Sequence, residues 1–206
     1  MFSERSQPER AWQPFWVKKK RGKQVIRMKK HTMGTILVNT DACHNSKEKK
    51  FFFGGLVRDA KFDVKSSYCE QENYKSNEGD DNDMAYIAEV KGIHKVLDFC
   101  KDKYDNIMLV SDNLNAIRNL NKVDQDGKDI AQPTINQILS LKRHFRNIIL
   151  CYAPRELNEA ADYLANLAKE LQEAKRKLDP PADEELLKRL KDDADGRWFK
   201  REELST

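Results

Sequence analysis

Apolar positions concentrate between about Thr35 and Leu171, and both ends of the chain are charged and irregular. Within that span the period changes from segment to segment. Thr35-Ile36-Leu37-Val38-Asn39-Thr40-Asp41 is a short apolar run closed by an acid, which predicts a buried strand. Asp41 to Lys50 is polar and turn-like. Phe51 to Val57, carrying Gly54-Gly55, reads as a second strand with close backbone approach, followed by a turn at Arg58-Asp59. Lys61 to Cys69 alternates well enough for a third, antiparallel strand. Glu70 to Asp83 has no apolar period and reads as an acidic loop.

Helical spacing then takes over. Glu89, Ile93, Val96, Leu97 and Cys100 fall on one face of a helix spanning Met84 to Lys101. Ile107 to Val110 predicts a fourth buried strand, closed by Ser111-Asp112. Asn113 to Asn121 and Thr134 to Arg146 predict two helices with a polar connection, Val123 to Pro133, between them. Ile148 to Tyr152 is a fifth strand. A long helix is expected from Glu156 through Leu171, extending towards Leu178 before Pro180-Pro181 stops it. One more helix, Glu184 to Asp192, is expected in a solvated charged tail. The order β-β-β-α-β-α-α-β-α implies an α/β fold: a mixed five-stranded sheet, three antiparallel strands and then parallel ones, flanked by helices. The expected organisation is a basic arm over 1–33, one domain over 34–178 and a charged C-terminal tail over 179–206.

Composition narrows the class. With 39% hydrophobic and 35% charged residues among 206, one full domain with extensions is affordable and two ordinary domains are not. The net charge is +4, yet Met1 to Lys30 alone holds ten Lys/Arg against two Glu. That arm carries a surplus of eight, so the remainder sums to −4. A basic arm on a mildly acidic body points to a polyanionic partner for the arm. Its Trp12, Trp16 and Lys18-Lys19-Lys20-Arg21 suit base stacking and phosphate contact, or nuclear import. The two extensions also suit a protein partner. Cys43, Cys69, Cys100 and Cys151 have neither zinc-site nor disulfide-framework spacing. No apolar run is long enough for a membrane span or a secretory signal, so an intracellular protein is expected, nuclear or cytoplasmic, with an organelle left open.

Four acids carry the chemistry. Asp41 ends the first strand and Asp112 the fourth, so neighbouring strands would deliver both carboxylates to one sheet edge. Glu89 interrupts the apolar face of its helix, and a carboxylate facing a core is costly unless it meets cations. Asp162 lies one position from the buried stripe of Leu157, Ala161, Leu164, Ala165 and Ala168. Each acid also has an ordinary reading; Asp112, before Asn113-Leu114, is placed to be a helix N-cap. Together, four carboxylates with oxygen-only ligands suit Mg²⁺ or Mn²⁺ rather than Zn²⁺, and two such ions suit phosphodiester hydrolysis.

At this point the residues resemble a known family, type I ribonuclease H, and most closely the ribonuclease-H-like domains common in plant proteins. The matching segments are Val38 to Cys43, Gly54 to Asp59, Ala88 to Ile93, Val110 to Asn113 and Pro154 to Ala165, covering roughly Thr35 to Lys169. The resemblance implies a ribonuclease-H-like fold and a two-metal endonuclease for the RNA strand of RNA/DNA hybrids. Asp41, Glu89, Asp112 and Asp162 would bind two Mg²⁺, with Mn²⁺ as a substitute. Asn158 would stand near the attacking water, and Asn45 would contact nucleic acid. Hybrid recognition would rest on 2′-hydroxyls across a shallow minor groove.

The sequence also departs from the family. Many members carry a loop histidine before the last helix; here Tyr152, Pro154 and Arg155 occupy that region, and Arg155 is the candidate substitute. His44 is expected to be a loop residue. The basic substrate-gripping helix of some bacterial members is also missing. A proofreading exonuclease would want an Asp-x-Glu pair where Asp41-Ala42-Cys43 stands, and integrase-like transposases fit the Gly54-Gly55 segment less well. The rival from another class is a catalytically inactive ribonuclease-H-fold module that binds nucleic acid or protein within a larger assembly.

Overall fold

The computed structural model describes residues 15–20, 23–28, 33–74, 80–122, 128–172, 176–179, 183–196 and 199–200. Its centre is the strand β3 (Ile36–Asn45), flanked by the hairpin partner β4 (Lys50–Arg58) and the parallel strand β6 (Asn106–Ser111). β5 (Val64–Asn73) extends the antiparallel side and β7 (Asn147–Tyr152) the parallel side. The expected mixed five-stranded sheet is therefore present, in the order β7-β6-β3-β4-β5. A sixth, three-residue strand, β8 (Arg176–Leu178), pairs with the outer edge of β5.

Helices cover both faces, which explains why the inner strands are nearly continuous apolar runs. On one side lie α1 (Asp81–Cys100), α2 (Leu114–Asn121) and α3 (Gln132–Leu141), whose Ile93, Leu97, Ile117 and Ile135 pack on Val38, Phe51, Phe53 and Leu109. On the other side α4 (Glu159–Leu167) crosses β4 at Gly54. A Cβ built on Gly54 would stand 2.3 Å from the Ala161 carbonyl oxygen, so only glycine lets helix and strand come this close.

The structure corrects several boundaries. β3 runs on through Asp41 to Asn45, because Phe51–Phe53 of β4 pair with Ala42–His44. Asp41 therefore lies inside a strand, and His44 is a strand residue facing Asp81 at 3.5 Å. α1 starts at Asp81 because the Asp80 carboxylate accepts from the amides of Asn82 and Asp83. The long last helix breaks into a 3₁₀ turn (Arg155–Leu157), α4 and a second 3₁₀ turn (Ala168–Glu170). The chain then turns back as β8, where the unpaired edge of β5 offers a ladder that outweighs the helix propensity of Arg176–Leu178.

Among the described residues, the N-terminal stretch carries strands that were not expected, and the expected C-terminal helix is partly buried. The N-terminal stretch, expected to be irregular, contains a hairpin of β1 (Phe15–Lys20) and β2 (Lys23–Met28), joined by β9 (Phe199–Lys200) from the other end of the chain. Ile26 is fully buried among Leu37, Met108, Val110 and Leu157. The charged tail is not wholly solvated. Its helix α5 (Glu184–Ala194) buries Leu186 against Leu56, Ala160 and Leu164. The four cysteines form no disulfide. Among the described residues, no helix is long and apolar enough to cross a membrane.

Candidate active site

The site forms where β3 loses its parallel neighbour. The last β3–β6 pair is Asn39 with Val110, and β6 stops at Ser111. Asp112 therefore leaves the sheet beside Asp41, as the strand alignment requires. The helix that follows takes its cap from Asn113, whose side chain accepts from the Ala116 amide at 2.9 Å. Asp112 is thus released from the capping role that its position had suggested. Glu89, on the third turn of α1, completes the group: ligand oxygens of Asp41, Glu89 and Asp112 all lie within 4.8 Å of one another.

These acids are costly as the protein stands. Asp41 is 7% exposed, and Glu89 Oε2 is buried with no hydrogen-bond partner. Burial, reinforced by the charges of Asp112 and Asp162, pushes the Asp41 carboxyl well above the usual carboxylate range. Burial does the same to Glu89, with Asp41 and Asp112 adding to it and Arg155 opposing. An oxygen-only cluster with an unpartnered, buried carboxylate oxygen fits a hard divalent cation, which would neutralise the charge and fill the missing contact.

The fourth acid stands apart from this triad. Asp162 Oδ1 accepts from Arg155 Nη2 at 2.9 Å, and Asn166 Nδ2 reaches Asp162 Oδ2 at 3.3 Å. Arg155 itself is 75% exposed, and the contact with Asp162 pushes its guanidinium above the usual arginine value. Asn158 is buried at the start of α4. Its Nδ2 donates to the Thr40 carbonyl at 3.0 Å and to Asp112 Oδ1 at 3.2 Å. Cys43, next along the same strand face as Asp41, is half-buried, and burial raises its thiol against the opposing charge of Lys169.

Two buried residues escaped the sequence reading. Asn39 Nδ2 donates to Asn158 Oδ1 at 3.0 Å, and Arg58 Nη2 donates to Asn39 Oδ1 at 2.8 Å. A buried-strand run Ile36–Val38 continuing into a polar Asn39, and an arginine closing an apolar strand, were the available signals. Asn45, expected at nucleic acid, ends β3, where its side chain closes the turn by accepting from Lys47 and Glu48 amides. Lys18, Lys19 and Lys20 occupy the backbone of β1, and Arg21 lies outside the described residues.

Solved structures of known proteins share this fold. RNase H1 from the halophilic archaeon Halobacterium salinarum NRC-1 superposes with a TM-score of 0.58 at 17% identity, over 66% of this chain and 98% of that one. LC11-RNase H1, isolated from compost by a metagenomic approach, gives 0.57 at 18% identity, over 67% and 97%. The same LC11 enzyme in complex with an RNA/DNA hybrid gives 0.51 at 18% identity, over 66% and 96%. No curated protein matches the chain. The family described as "Reverse transcriptase-like" matches residues 39–168, more than half of the chain, from Asn39 at the site to the end of α4. With the fold and the acid cluster in agreement, the chain belongs to this reverse transcriptase-like, ribonuclease-H-like family.

Proposed function

We propose that the chain is a metal-dependent endonuclease that hydrolyses the RNA strand of RNA/DNA hybrids. The observation that carries the proposal is the triad of Asp41, Glu89 and Asp112, drawn from three separate elements to within 4.8 Å, with a buried Glu89 oxygen left unpartnered. A scaffold has no reason to tolerate such repulsion. The family match supports the reaction class, and LC11-RNase H1, bound to a hybrid in its own structure, supports the substrate.

On this reading Asp41, Glu89 and Asp112 would hold one Mg²⁺, and Asp162 with Asp41 a second, with Mn²⁺ as a substitute. Bound there, such ions activate a water and stabilise the oxygen that leaves the phosphodiester. The chain's own residues do the rest. Asn158 holds Asp112 by a donated hydrogen bond and so fixes the carboxylate's direction. Arg155, exposed and paired with Asp162, is placed to exchange that carboxylate for a substrate phosphate, which neutralises charge where a loop histidine serves in relatives. The basic hairpin β1–β2 lies beside the Arg155–Leu157 turn and would add electrostatic attraction for the hybrid backbone.

The test is cleavage of a labelled RNA/DNA hybrid with Mg²⁺, Mn²⁺ or EDTA, beside single-stranded RNA and duplex DNA. Metal-dependent cuts confined to the RNA strand of the hybrid, and lost in Asp112→Asn, are expected. No cleavage with either metal, by protein shown to be folded, would refute the proposal in favour of an inactive binding module.

A further inference from the structure

A single file of buried side chains runs from the C-terminal helix to the acid cluster. Asp193 on α5 accepts from Arg58 Nη1 at 2.6 Å. Arg58 Nη2 donates to Asn39 Oδ1 at 2.8 Å, Asn39 Nδ2 to Asn158 Oδ1 at 3.0 Å, and Asn158 Nδ2 to Asp112 Oδ1 at 3.2 Å. Arg58 is fully buried, Asn39 and Asn158 are each 1% exposed, and Asp193 is 8% exposed. The four come from β4, β3, the start of α4 and α5, so only the tertiary fold assembles them.

The order of donors and acceptors has one permitted sense. An amide side chain can present either its oxygen or its nitrogen to a neighbour, but a guanidinium only donates. Arg58 therefore forces Asn39 to turn its oxygen inward and its NH₂ towards Asn158. Asn158 must then turn its own oxygen to Asn39 and its NH₂ to Thr40 and Asp112. Reversed, Asn158 would set its oxygen against the Thr40 carbonyl and the Asp112 carboxylate, two acceptors. We infer that Arg58 and Asn39, anchored by Asp193 of the C-terminal helix, are positioning residues that dictate the amide direction of Asn158 and thereby hold Asp112 ready for a divalent cation. The inference rests on the metal-site reading above. It also gives the charged C-terminal segment a part in the site: α5 supplies the counter-charge that keeps a buried arginine in place.

The test uses the full chain. Asn39→Asp keeps the shape and accepts from Arg58 but cannot donate, so Asn158 meets acceptors on both sides and its amide direction towards Asp112 is no longer imposed. Mn²⁺ binding, followed by the electron paramagnetic resonance signal of the free ion, is expected to weaken about 10- to 100-fold, as for other partners behind a metal ligand. Melting in EDTA is expected to stay cooperative. A purely structural role would move melting and leave Mn²⁺ affinity alone. Should Asn39→Asp fail to fold, Arg58→Gln replaces it, since a glutamine amide no longer imposes a direction. In the wild-type chain, moreover, a Mg²⁺ titration is expected to shift the Asn158 and Asn39 side-chain amide resonances together. Wild-type Mn²⁺ affinity in a folded variant, or an Asn39 resonance unmoved by Mg²⁺, would overturn the inference, as would a wild-type chain that binds no Mn²⁺. A wild type that binds Mn²⁺ but cleaves no hybrid refutes the nuclease alone and leaves the relay standing if the variant still binds more weakly.

Discussion

Replacing Glu89 with glutamine should make the metal-free protein more stable while abolishing the proposed hybrid cleavage. Ligand oxygens of Glu89, Asp41 and Asp112 lie within 4.8 Å of one another. At that distance and an effective dielectric of about 20, each fully charged pair repels by about 3.5 kcal/mol. Burial raises both carboxyls, so the gain from Glu89→Gln is smaller than the full repulsion of a charged pair. The new amide also donates to the neighbouring carboxylates, where Glu89 Oε2 has no partner. For a chain of this size, each kcal/mol recovered raises the melting temperature by about 2–4 °C. The sign with pH follows from the shift. Glu89 has a folded-state value above its unfolded one, so it costs nothing below the ordinary glutamate value, costs more as pH rises from there to the raised value, and costs its full amount above it. Thermal melts in EDTA at about pH 8 and about pH 4 should therefore show the gain at the higher pH and lose it at the lower. In Mg²⁺ the order should reverse, because only the wild type gains by binding. A glutamine variant that melts at or below wild type in EDTA at the higher pH would refute the charge-repulsion account of the site.

Because the raised carboxyls of Asp41 and Glu89 bind a cation only once ionised, Mn²⁺ affinity should go on rising with pH above the ordinary carboxylate range. Calorimetry in buffers of different ionisation enthalpy should report proton release on binding; an affinity independent of pH would contradict the raised values. Gly54→Ala places a methyl 2.3 Å from the Ala161 carbonyl oxygen and 2.4 Å from the Ala165 nitrogen, backbone atoms that no rotamer change can move. It should cost about 1–3 kcal/mol of stability and depress cleavage by shifting α4, which carries Asp162. An unchanged melt would show that α4 has room to retreat.

Period and residue type determined the elements of the central domain. The runs Thr35–Asp41, Phe51–Val57 and Ile107–Val110 are apolar because helices cover both faces of those strands, and that burial is a local property of each segment. Glu89 was legible for the same reason: a carboxylate in an apolar helical stripe announces an unmet charge before any contact is known. What the sequence could not disclose depends on pairing between distant segments. Asp41 lies inside β3 rather than at its end because Phe51–Phe53 continue the ladder. Arg176–Leu178, helical by propensity, became a strand on meeting the open edge of β5. The apolar residues of hairpin β1–β2 sit in blocks, Phe15-Trp16-Val17 and Val25-Ile26, and show no alternation, and its third strand comes from the far end of the chain. Asp162 was placed near the site by its helical stripe, but only the fold hands it to Arg155, across a 3₁₀ turn that the spacing did not indicate. Arg58, Asn39 and Asp193 carry no motif, and each alone reads as a strand end, a polar interruption or a tail charge. Their meaning is electrostatic and directional: a donor-only group, buried against Asp193, orients two amides that the sequence separates by 119 positions.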